Sequence, residues 1–228
     1  MKKYVTAIIL AAGSGSRMNL NTTKQKLLLG GESVLRRSVG VFERCEEITS
    51  VIVVAREDEI EFARAELSDF KKVKAIVVGG STRLESAFSG FKMADEKTEF
   101  IAIHDAARCF VTERMISDVL HDATVYGAAT ASAAVTDTVK IVDVDGKIEK
   151  NLSRNALRAV QTPQIFRMDL YTKAILGVDL KDTSITDDNM LLERIGIYPY
   201  CTDTGKENFK ITTSEDLLFA KYLLKEEE

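Results

Sequence analysis

Short runs of apolar residues alternate along the chain with longer segments in which apolar residues recur every three or four positions. An unbroken apolar run predicts a buried β-strand, and the longer spacing predicts an amphipathic helix. Strands are predicted at residues 4–9, 51–55, 73–78 and 100–103, and helices at residues 34–45, 57–69, 84–93 and 112–124. Because the strands are apolar throughout and helices separate them, the pattern predicts an α/β fold with an open, mainly parallel sheet covered on both faces.

The pattern changes after residue 134, where two segments flank an Asp-Gly turn. Residues 135–142 and 147–150 predict a β-hairpin around this turn. A two-stranded hairpin is marginally stable by itself in water, so we expect this arm, at about residues 135–156, to pack against a second copy of the chain. The remaining predicted elements of a single domain over residues 1–228 are helices at 168–176 and 186–195, a strand at 197–201 and a helix from Ser214.

Composition and charge exclude several classes of protein. The 228 residues include 31 Lys and Arg against 35 Asp and Glu, so the net charge of −4 argues against a nucleic-acid or anionic-membrane partner. The three cysteines are scattered without C-x-x-C spacing, which argues against a disulfide framework and a structural zinc site. No segment is apolar for long enough to cross a bilayer and the N-terminus lacks a signal-peptide pattern, so a cytoplasmic location is expected.

The loop after the first predicted strand carries the clearest chemical signal. Gly13 and Gly15 allow backbone N–H groups to approach an oxyanion without interference from Cβ atoms. Arg17 and Lys24 place two cations beside these glycines, and the combination predicts a polyphosphate site. Met18 stands where a dinucleotide-binding loop has its third glycine, and no Gly-Lys-Ser/Thr follows as in a Walker loop. An ordinary glycine-rich turn with surface cations is the alternative.

A second chemical cluster follows the fourth predicted strand. Ligands of parallel sheets bind at the carboxyl ends of the strands, which is where Asp105 falls together with Gly13 and the glycine pair at 79–80. Asp105 is therefore predicted to hold Mg²⁺ together with substrate phosphates, and an aspartate of a turn or helix cap is the alternative. His104 is predicted to be hydrogen-bonded at the strand end rather than a general base. Arg108 is predicted to bind a second phosphate or to pair with a surface carboxylate.

The first loop and a set of later motifs resemble those of a known family. The string L-A-A-G-S-G-S-R-M, followed by T-K-Q, is similar to the signature loop of sugar-phosphate nucleotidyltransferases, with Thr23 where proline is usual. The motifs H-D-A-A-R, D-T-V-K, R-N, T-P-Q, I-T-D-D and N-F-K-I-T follow in the order seen in 2-C-methyl-D-erythritol 4-phosphate cytidylyltransferases, from Leu10 to about Thr212. Ser81 and Cys109 stand where that family usually has an acidic residue and a proline, and neither departure removes a charged catalytic group.

This resemblance implies a Rossmann-like open twisted sheet of the nucleotide-diphospho-sugar transferase type and a homodimer that exchanges hairpin arms. It implies an enzyme that transfers CMP from CTP to methylerythritol phosphate and releases pyrophosphate, in non-mevalonate isoprenoid synthesis. The attacking phosphate oxygen is already anionic, so positioning and charge neutralisation should carry the rate. CTP and the polyol phosphate are thus the expected small-molecule substrates, with Mg²⁺ as the cofactor.

The resemblance also implies roles for individual residues. Arg17 and Lys24 match the residues that stabilise the developing charge on the α-phosphate. Arg154 and Lys210 match the pair that holds the acceptor's phosphate in line. The implied nucleotide-binding positions are Ala11, Ala12, Gly13, Gly15, Gly80, Ser81, Ser86 and Ala106. The implied acceptor-binding positions are Asp105, Arg108, Thr138, Arg154, Thr162, Thr186 and Lys210. Thr138 and Arg154 would reach the site across the dimer.

Alternatives stay open for several positions and for the function. Lys210 has the surroundings of an exposed strand lysine, Thr162 begins a segment that is also typical of a turn, and Thr186 is also a good helix N-terminus. A cytidylyltransferase of another polyol phosphate, such as ribitol 5-phosphate, shares the first loop and the arm motif, although Ala106 and Ala107 favour methylerythritol phosphate. A nucleotide-binding regulatory protein on a decayed enzyme scaffold would lack charged residues of the site, and those residues are present.

Overall fold

The computed structural model describes residues 3–13 and 22–225, and within them a seven-stranded sheet forms the centre of the molecule. The strands of the described chain are β1 Val5–Leu10, β2 Leu28–Leu29, β3 Glu32–Ser33, β4 Ser50–Ala55, β5 Val73–Val78, β6 Phe100–Asp105, β7 Ala128–Ala134, β8 Lys140–Val142, β9 Ile148–Asn151, β10 Arg158–Arg167 and β11 Tyr200–Asp203. In the central sheet, whose order is β11-β7-β10-β6-β1-β4-β5, strand β10 runs antiparallel to β6 and β7. The other neighbouring strands are parallel, which confirms the predicted mainly parallel sheet.

Helices cover both faces of this sheet. The helices of the described chain are α1 Val34–Arg44, α2 Ile60–Glu66, α3 Arg83–Phe91, α4 Glu113–Tyr126, α5 Met168–Leu176, α6 Asn189–Glu193 and α7 Ser214–Leu223. Strand β1 shows why the strand sequences are mainly apolar and do not alternate with polar residues. Its Ile9 packs into the core that contains Phe42 of α1, whereas its Ile8 packs into the opposite core with Leu84 of α3. Each fully buried side chain of this size contributes about 1.5–3 kcal/mol to folding.

The predicted hairpin is confirmed, with a first strand shorter than the sequence pattern indicates and a second strand displaced by one residue. Strands β8 and β9 pair antiparallel around a turn in which Gly146, at φ 84°, adopts the left-handed conformation that glycine tolerates. The arm is exposed and carries large apolar side chains on its surface, including Val142, Val144 and Ile148. No helix in the described ranges is long and apolar enough to cross a membrane.

From residue 128 onward the structure differs from the prediction in several elements. Strands β7 and β10 were not predicted, and the segment at 162–164, read alternatively as a turn, lies inside β10. Pairing between β10 and β7 shifts register between Val160 and Gln164, so Pro163 sits at an irregularity where it breaks no regular ladder bond. Thr186 is not a helix cap, because α6 begins at Asn189 and Asp188 is its N-cap. The last predicted strand begins three residues later than expected, at Tyr200.

Candidate active site

A cavity of about 380 Å³ opens at the carboxyl ends of β1 and β6. The sequence-predicted site residues that line it are Ala12, Gly13, Lys24, Gly80, Ser81, Ser86, Asp105 and Lys210. Ala11 and Ala106 lie just behind this wall, where their backbone N–H groups donate to Val54 and Leu10 and tie the neighbouring strand ends together. Gly15 and Arg17 lie outside the described residues. The position of the cavity at the strand ends agrees with the expectation for a parallel α/β sheet.

One wall of the cavity is the turn between β5 and α3. The Ser86 hydroxyl accepts from the Gly80 N–H at 3.1 Å and donates to the Thr82 carbonyl at 2.9 Å. Thr82 and Glu85 form a reciprocal capping box at the start of α3. A Cβ atom added to Gly80 would lie 2.2 Å from the Cβ of Glu85, so only glycine fits this turn. The turn is therefore held rigidly against the helix N-terminus, with its backbone facing the cavity.

Ser81 stands where the resembled family usually has an acidic residue, and its contacts hold the turn to α3. Its backbone N–H and its hydroxyl both donate to the Glu85 carboxylate at 2.6 Å. Those contacts, with burial opposing them, hold the pKa of Glu85 below its ordinary value. Glu85, in the first turn of α3, thus fixes the turn that contains Ser81.

Lys24 lies in a single 3-10 turn, Lys24–Lys26, that faces the same cavity. The neighbouring Gln25 donates from Nε2 to the Ala11 carbonyl at 2.6 Å, which ties this turn to the end of β1. Thr23, in the place where the resembled family has proline, donates its hydroxyl to buried Glu59. The lysine is thus positioned by hydrogen bonds on both sides of the turn.

Asp105 is the centre of the charged groups in the cavity. Its Oδ2 receives the Lys210 ammonium at 2.6 Å, and its Oδ1 lies 3.3 Å from Nε of Arg83. Only 11% of the Asp105 side chain is exposed. Burial by itself would raise the pKa of Asp105, but the charges of Arg83 and Lys210 outweigh it and hold the pKa well below its usual range. The side chain is therefore an ionised carboxylate bound by two cations. The backbone of Asp105 also opens a turn, in which the Arg108 N–H donates to the Asp105 carbonyl at 2.9 Å.

The backbone of Asp105 is fixed by a hydrogen-bonded chain that passes through Thr162. The Thr162 hydroxyl accepts from the Asp105 N–H at 3.0 Å and lies 3.0 Å from Nδ1 of His104. Nε2 of His104 lies 3.3 Å from the Arg108 carbonyl, so the ring has a partner on each nitrogen. Burial lowers the pKa of His104 to about 3, and the ring is neutral at physiological pH. The prediction of a structural strand-end histidine is confirmed.

Other predicted site residues are not brought into this cavity. Arg108 donates to the carbonyls of Asn208 at 2.9 Å and Val160 at 3.5 Å, beside the cluster rather than in it. Arg154 lies at the base of the arm, where it donates to the Thr136 carbonyl at 2.9 Å. Thr138 also lies in the arm, and the hydroxyl of exposed Thr186 contacts the Met190 sulfur at 3.4 Å.

Two functional candidates in the cluster were missed by sequence reasoning. Arg83 pairs with both Asp105 and Asp188, and Asp188 is 1% exposed. Arg83 is the first residue of α3 and resembles any surface arginine at a helix start, and Asp188 follows Thr186 in a segment that is also typical of a helix N-terminus. The available signal is slight: Arg83 comes soon after the glycine pair at 79–80, and Asp188 is the last residue of the I-T-D-D motif.

This fold and this site define a class of protein, the α/β enzymes that bind nucleotide phosphates at the strand ends and transfer a nucleotidyl group. Comparison with known proteins identifies the family. The family model of IspD, 2-C-methyl-D-erythritol 4-phosphate cytidylyltransferase, matches residues 5–226, and the chain belongs to this family.

Relatives and solved structures agree with that assignment. The chain is 41% identical over 222 residues to the 2-C-methyl-D-erythritol 4-phosphate cytidylyltransferase of Clostridium acetobutylicum. The aligned residues cover 96% of this chain and 96% of the relative. It is 36% identical over 224 residues to that of Caldanaerobacter subterraneus, covering 97% of this chain and 99% of the relative. The crystal structure of 4-diphosphocytidyl-2C-methyl-D-erythritol synthase from Anaerococcus prevotii superposes with a TM-score of 0.88 at 30% identity, covering 98% of this chain and 97% of that chain.

Proposed function

We propose that this chain transfers CMP from CTP to 2-C-methyl-D-erythritol 4-phosphate and releases pyrophosphate. The observation that carries the proposal is the meeting of Lys24, Asp105 and Lys210 in one cavity, against a rigid glycine turn, in a chain of this family. Lysine ammonium groups and backbone N–H groups are the donors that polyphosphates require. The named activity of the relatives supplies the two substrates, a nucleoside triphosphate and a phosphorylated polyol.

The reaction needs charge neutralisation more than proton transfer. An oxygen of the acceptor phosphate attacks the α-phosphorus of CTP, a new P–O bond forms, and the bond to the β-phosphate breaks with pyrophosphate leaving with the electron pair. The nucleophile is anionic at neutral pH, so a general base is not required. This agrees with a site in which the low pKa of Asp105 and of His104 makes each a poor proton acceptor.

Lys24 and Lys210, two of the cations that line the cavity, have different roles in this reaction. Lys24 neutralises charge that develops on the α-phosphate, together with Arg17 from the preceding loop. Lys210 holds the acceptor's phosphate in line for attack. The backbone of Gly13, Gly80 and Ser81 holds the nucleotide, with Ser86 fixing their turn as described above.

Mg²⁺ fits this site as an ion carried by the triphosphate. The described residues contain no group of three or more His, Cys, Asp or Glu side chains that could hold a metal by themselves. Asp105 offers a single carboxylate, and Mg²⁺ is commonly held by one or two carboxylates plus substrate phosphates. Asp105 would hold the ion, which would supply further neutralisation of phosphate charge.

We propose that the arm makes the protein a homodimer. Its exposed apolar side chains, Val142, Val144 and Ile148, favour burial against another protein surface. Two residues with acceptor-binding assignments, Thr138 and Arg154, lie in this arm and away from the cavity of their own chain. A site completed by the arm of a second copy would bring them to the acceptor.

The experiment that tests the function is acceptor-dependent release of pyrophosphate. Purified protein is given CTP and Mg²⁺ with methylerythritol phosphate, ribitol 5-phosphate or no acceptor. Release with methylerythritol phosphate alone is the expected result. Preference for ribitol 5-phosphate would overturn the acceptor assignment, and folded protein that releases nothing with either acceptor would overturn the enzymatic function.

A further inference from the structure

The guanidinium of Arg83 lies between two buried carboxylates. Its Nε is 3.3 Å from Oδ1 of Asp105, and its Nη1 donates to Oδ2 of Asp188. The Arg83 side chain is 25% exposed, and the Asp188 side chain is only 1% exposed. Arg83 opens α3 directly after the glycine turn, so one side chain links the nucleotide wall of the cavity to Asp105.

Asp188 is itself held from a second side. The hydroxyl of Tyr171 in α5 donates to Oδ1 of Asp188 at 2.7 Å, and the Asp188 N–H donates to Oε1 of Gln164 at 2.9 Å. Tyr171 is fully buried, and burial together with the charge of Asp188 raises the pKa of its hydroxyl well above the usual range. The hydroxyl therefore remains a donor, and Asp188, held by Tyr171 and Gln164, in turn holds the guanidinium of Arg83.

The two cationic partners of Asp105 differ in their freedom. The Lys210 side chain is 35% exposed at the cavity surface and has a flexible stem, whereas Arg83 is anchored by Asp188. In the proposed reaction the ammonium of Lys210 turns to the acceptor's phosphate, which takes one of the two cations away from Asp105. A buried carboxylate that loses one counter-ion is destabilised unless another cation stays beside it, and Arg83 is the protein's own cation that remains when Lys210 turns away.

We propose that Arg83 is a positioning residue that holds the Asp105 carboxylate in place when Lys210 turns to the acceptor phosphate, with Asp188 as the anchor of Arg83. The inference rests on the proposed function, because it concerns the same site and the same reaction. A lysine at position 83 could reach only one carboxylate at a time, since an ammonium lacks the planar fork of a guanidinium. Arg83 acts by bridging the two carboxylates, and a positive charge at position 83 is not sufficient by itself.

Arg83→Lys and Asp188→Asn test the bridge with small changes in volume. Both variants should lose about 10- to 100-fold in kcat for pyrophosphate release, while the KM for CTP changes by less than about threefold. Arg36→Lys is the matched control, because Arg36 also pairs with a carboxylate, that of Asp69 at 2.7 Å, but does not line the cavity. Its kcat should equal that of the wild type.

Thermal unfolding and chemical rescue separate positioning from a merely structural role. Guanidinium ion added at millimolar concentration should raise the kcat of Arg83→Ala and leave that of Lys210→Ala unchanged. Near-wild-type kcat in folded Arg83→Lys and Asp188→Asn would overturn the inference and leave the proposed function intact. A loss of kcat that only parallels the loss of Tm, with Arg36→Lys equally affected, would also overturn it. Wild-type protein that releases no pyrophosphate with any acceptor would overturn the proposed function, and this inference with it.

Discussion

At the scale of single residues, the site is a small set of charged side chains, and the hydrogen-bond and ion-pair partners of each fix its position. Asp105 is bound by Lys210 and Arg83, and the surrounding residues hold those partners in turn. The Thr162 hydroxyl accepts from the Asp105 N–H and lies beside His104, which fixes the backbone of Asp105. In the proposed reaction, the cations that face the cavity neutralise the phosphate charge, and Lys24 is the first of them to test.

Lys24→Ala should lower kcat for pyrophosphate release by about 100-fold or more, because one cation that meets the developing charge is removed. Lys26→Ala is the matched control from the same 3-10 turn, since its ammonium contacts Glu59 at 3.8 Å and does not line the cavity. Steady-state kinetics and thermal unfolding are measured on both. A Lys24→Ala enzyme with near-normal kcat would contradict the role given to Lys24.

His104 predicts a pH dependence of stability. Its pKa falls from the usual 6.5 to about 3 on folding, because the ring is buried. In the unfolded chain this ring becomes protonated below about pH 6.5, whereas in the folded protein it stays neutral down to about pH 3. Acidification between these values therefore favours unfolding. His104→Gln should flatten the slope of unfolding free energy against pH between pH 5 and 6 by about 1 kcal/mol per pH unit. Denaturant titrations with equal slopes in both proteins would contradict this assignment.

At the scale of elements, the carboxyl ends of strands and the start of α3 place the functional groups. Ser33, Thr82, Thr112 and Thr213 each accept a hydrogen bond at the N-terminus of a helix, so local sequence chemistry fixes where those helices begin. The Thr82 cap has an additional consequence, because it also shapes the turn that lines the cavity.

Thr82→Ala and Thr112→Ala form a matched pair of variants. Each removes the N-cap hydroxyl of one helix and should lower the free energy of unfolding by about 1 kcal/mol. Only Thr82→Ala should raise the KM for CTP, because Thr82 also holds the turn of Gly80 and Ser81 through the capping box. Equal KM values in the two variants would show that this turn does not hold the nucleotide.

Elements with strong patterns could be predicted from the sequence, and elements with weak patterns could not. Strands β1, β4, β5 and β6 could be predicted because each contains a run of mainly apolar residues, and β1, β4 and β6 are buried at every position. Strand β7 was missed because its residues are Ala, Ser and Thr, which carry little hydrophobic or β-branched signal. The pairing of Arg83 with Asp188 spans 105 positions and rests on tertiary packing, which no local pattern records.

At the scale of the whole molecule, the arm contributes no residue to the described lining of the cavity in its own chain, while two residues with acceptor-binding assignments lie in it. In the proposed arrangement, the acceptor site is completed by an arm from a second copy. An isologous dimer would supply each site with the partner's arm by symmetry.

Mixing inactive variants tests this arrangement. Lys24→Ala and Arg154→Ala, co-expressed as mixed dimers, should recover about one quarter of wild-type activity, because half of the dimers are mixed and each carries one intact site. Lys24→Ala with Lys210→Ala is the control pair and should recover none, since both residues line the cavity of one chain. Absence of recovery in the first pair, with dimers verified by light scattering, would place Arg154 in the site of its own chain.

The reaction itself is tested most directly by following oxygen isotopes from acceptor to product. Methylerythritol phosphate carrying ¹⁸O in its phosphate is incubated with CTP and the enzyme, and the products are observed by ³¹P NMR. Attack of that phosphate on the α-phosphorus predicts ¹⁸O in the bridge of the new diphosphate, with isotope shifts on both of its phosphorus atoms and none in pyrophosphate. Label in the pyrophosphate, or no labelled diphosphate product, would contradict the proposed transfer of CMP.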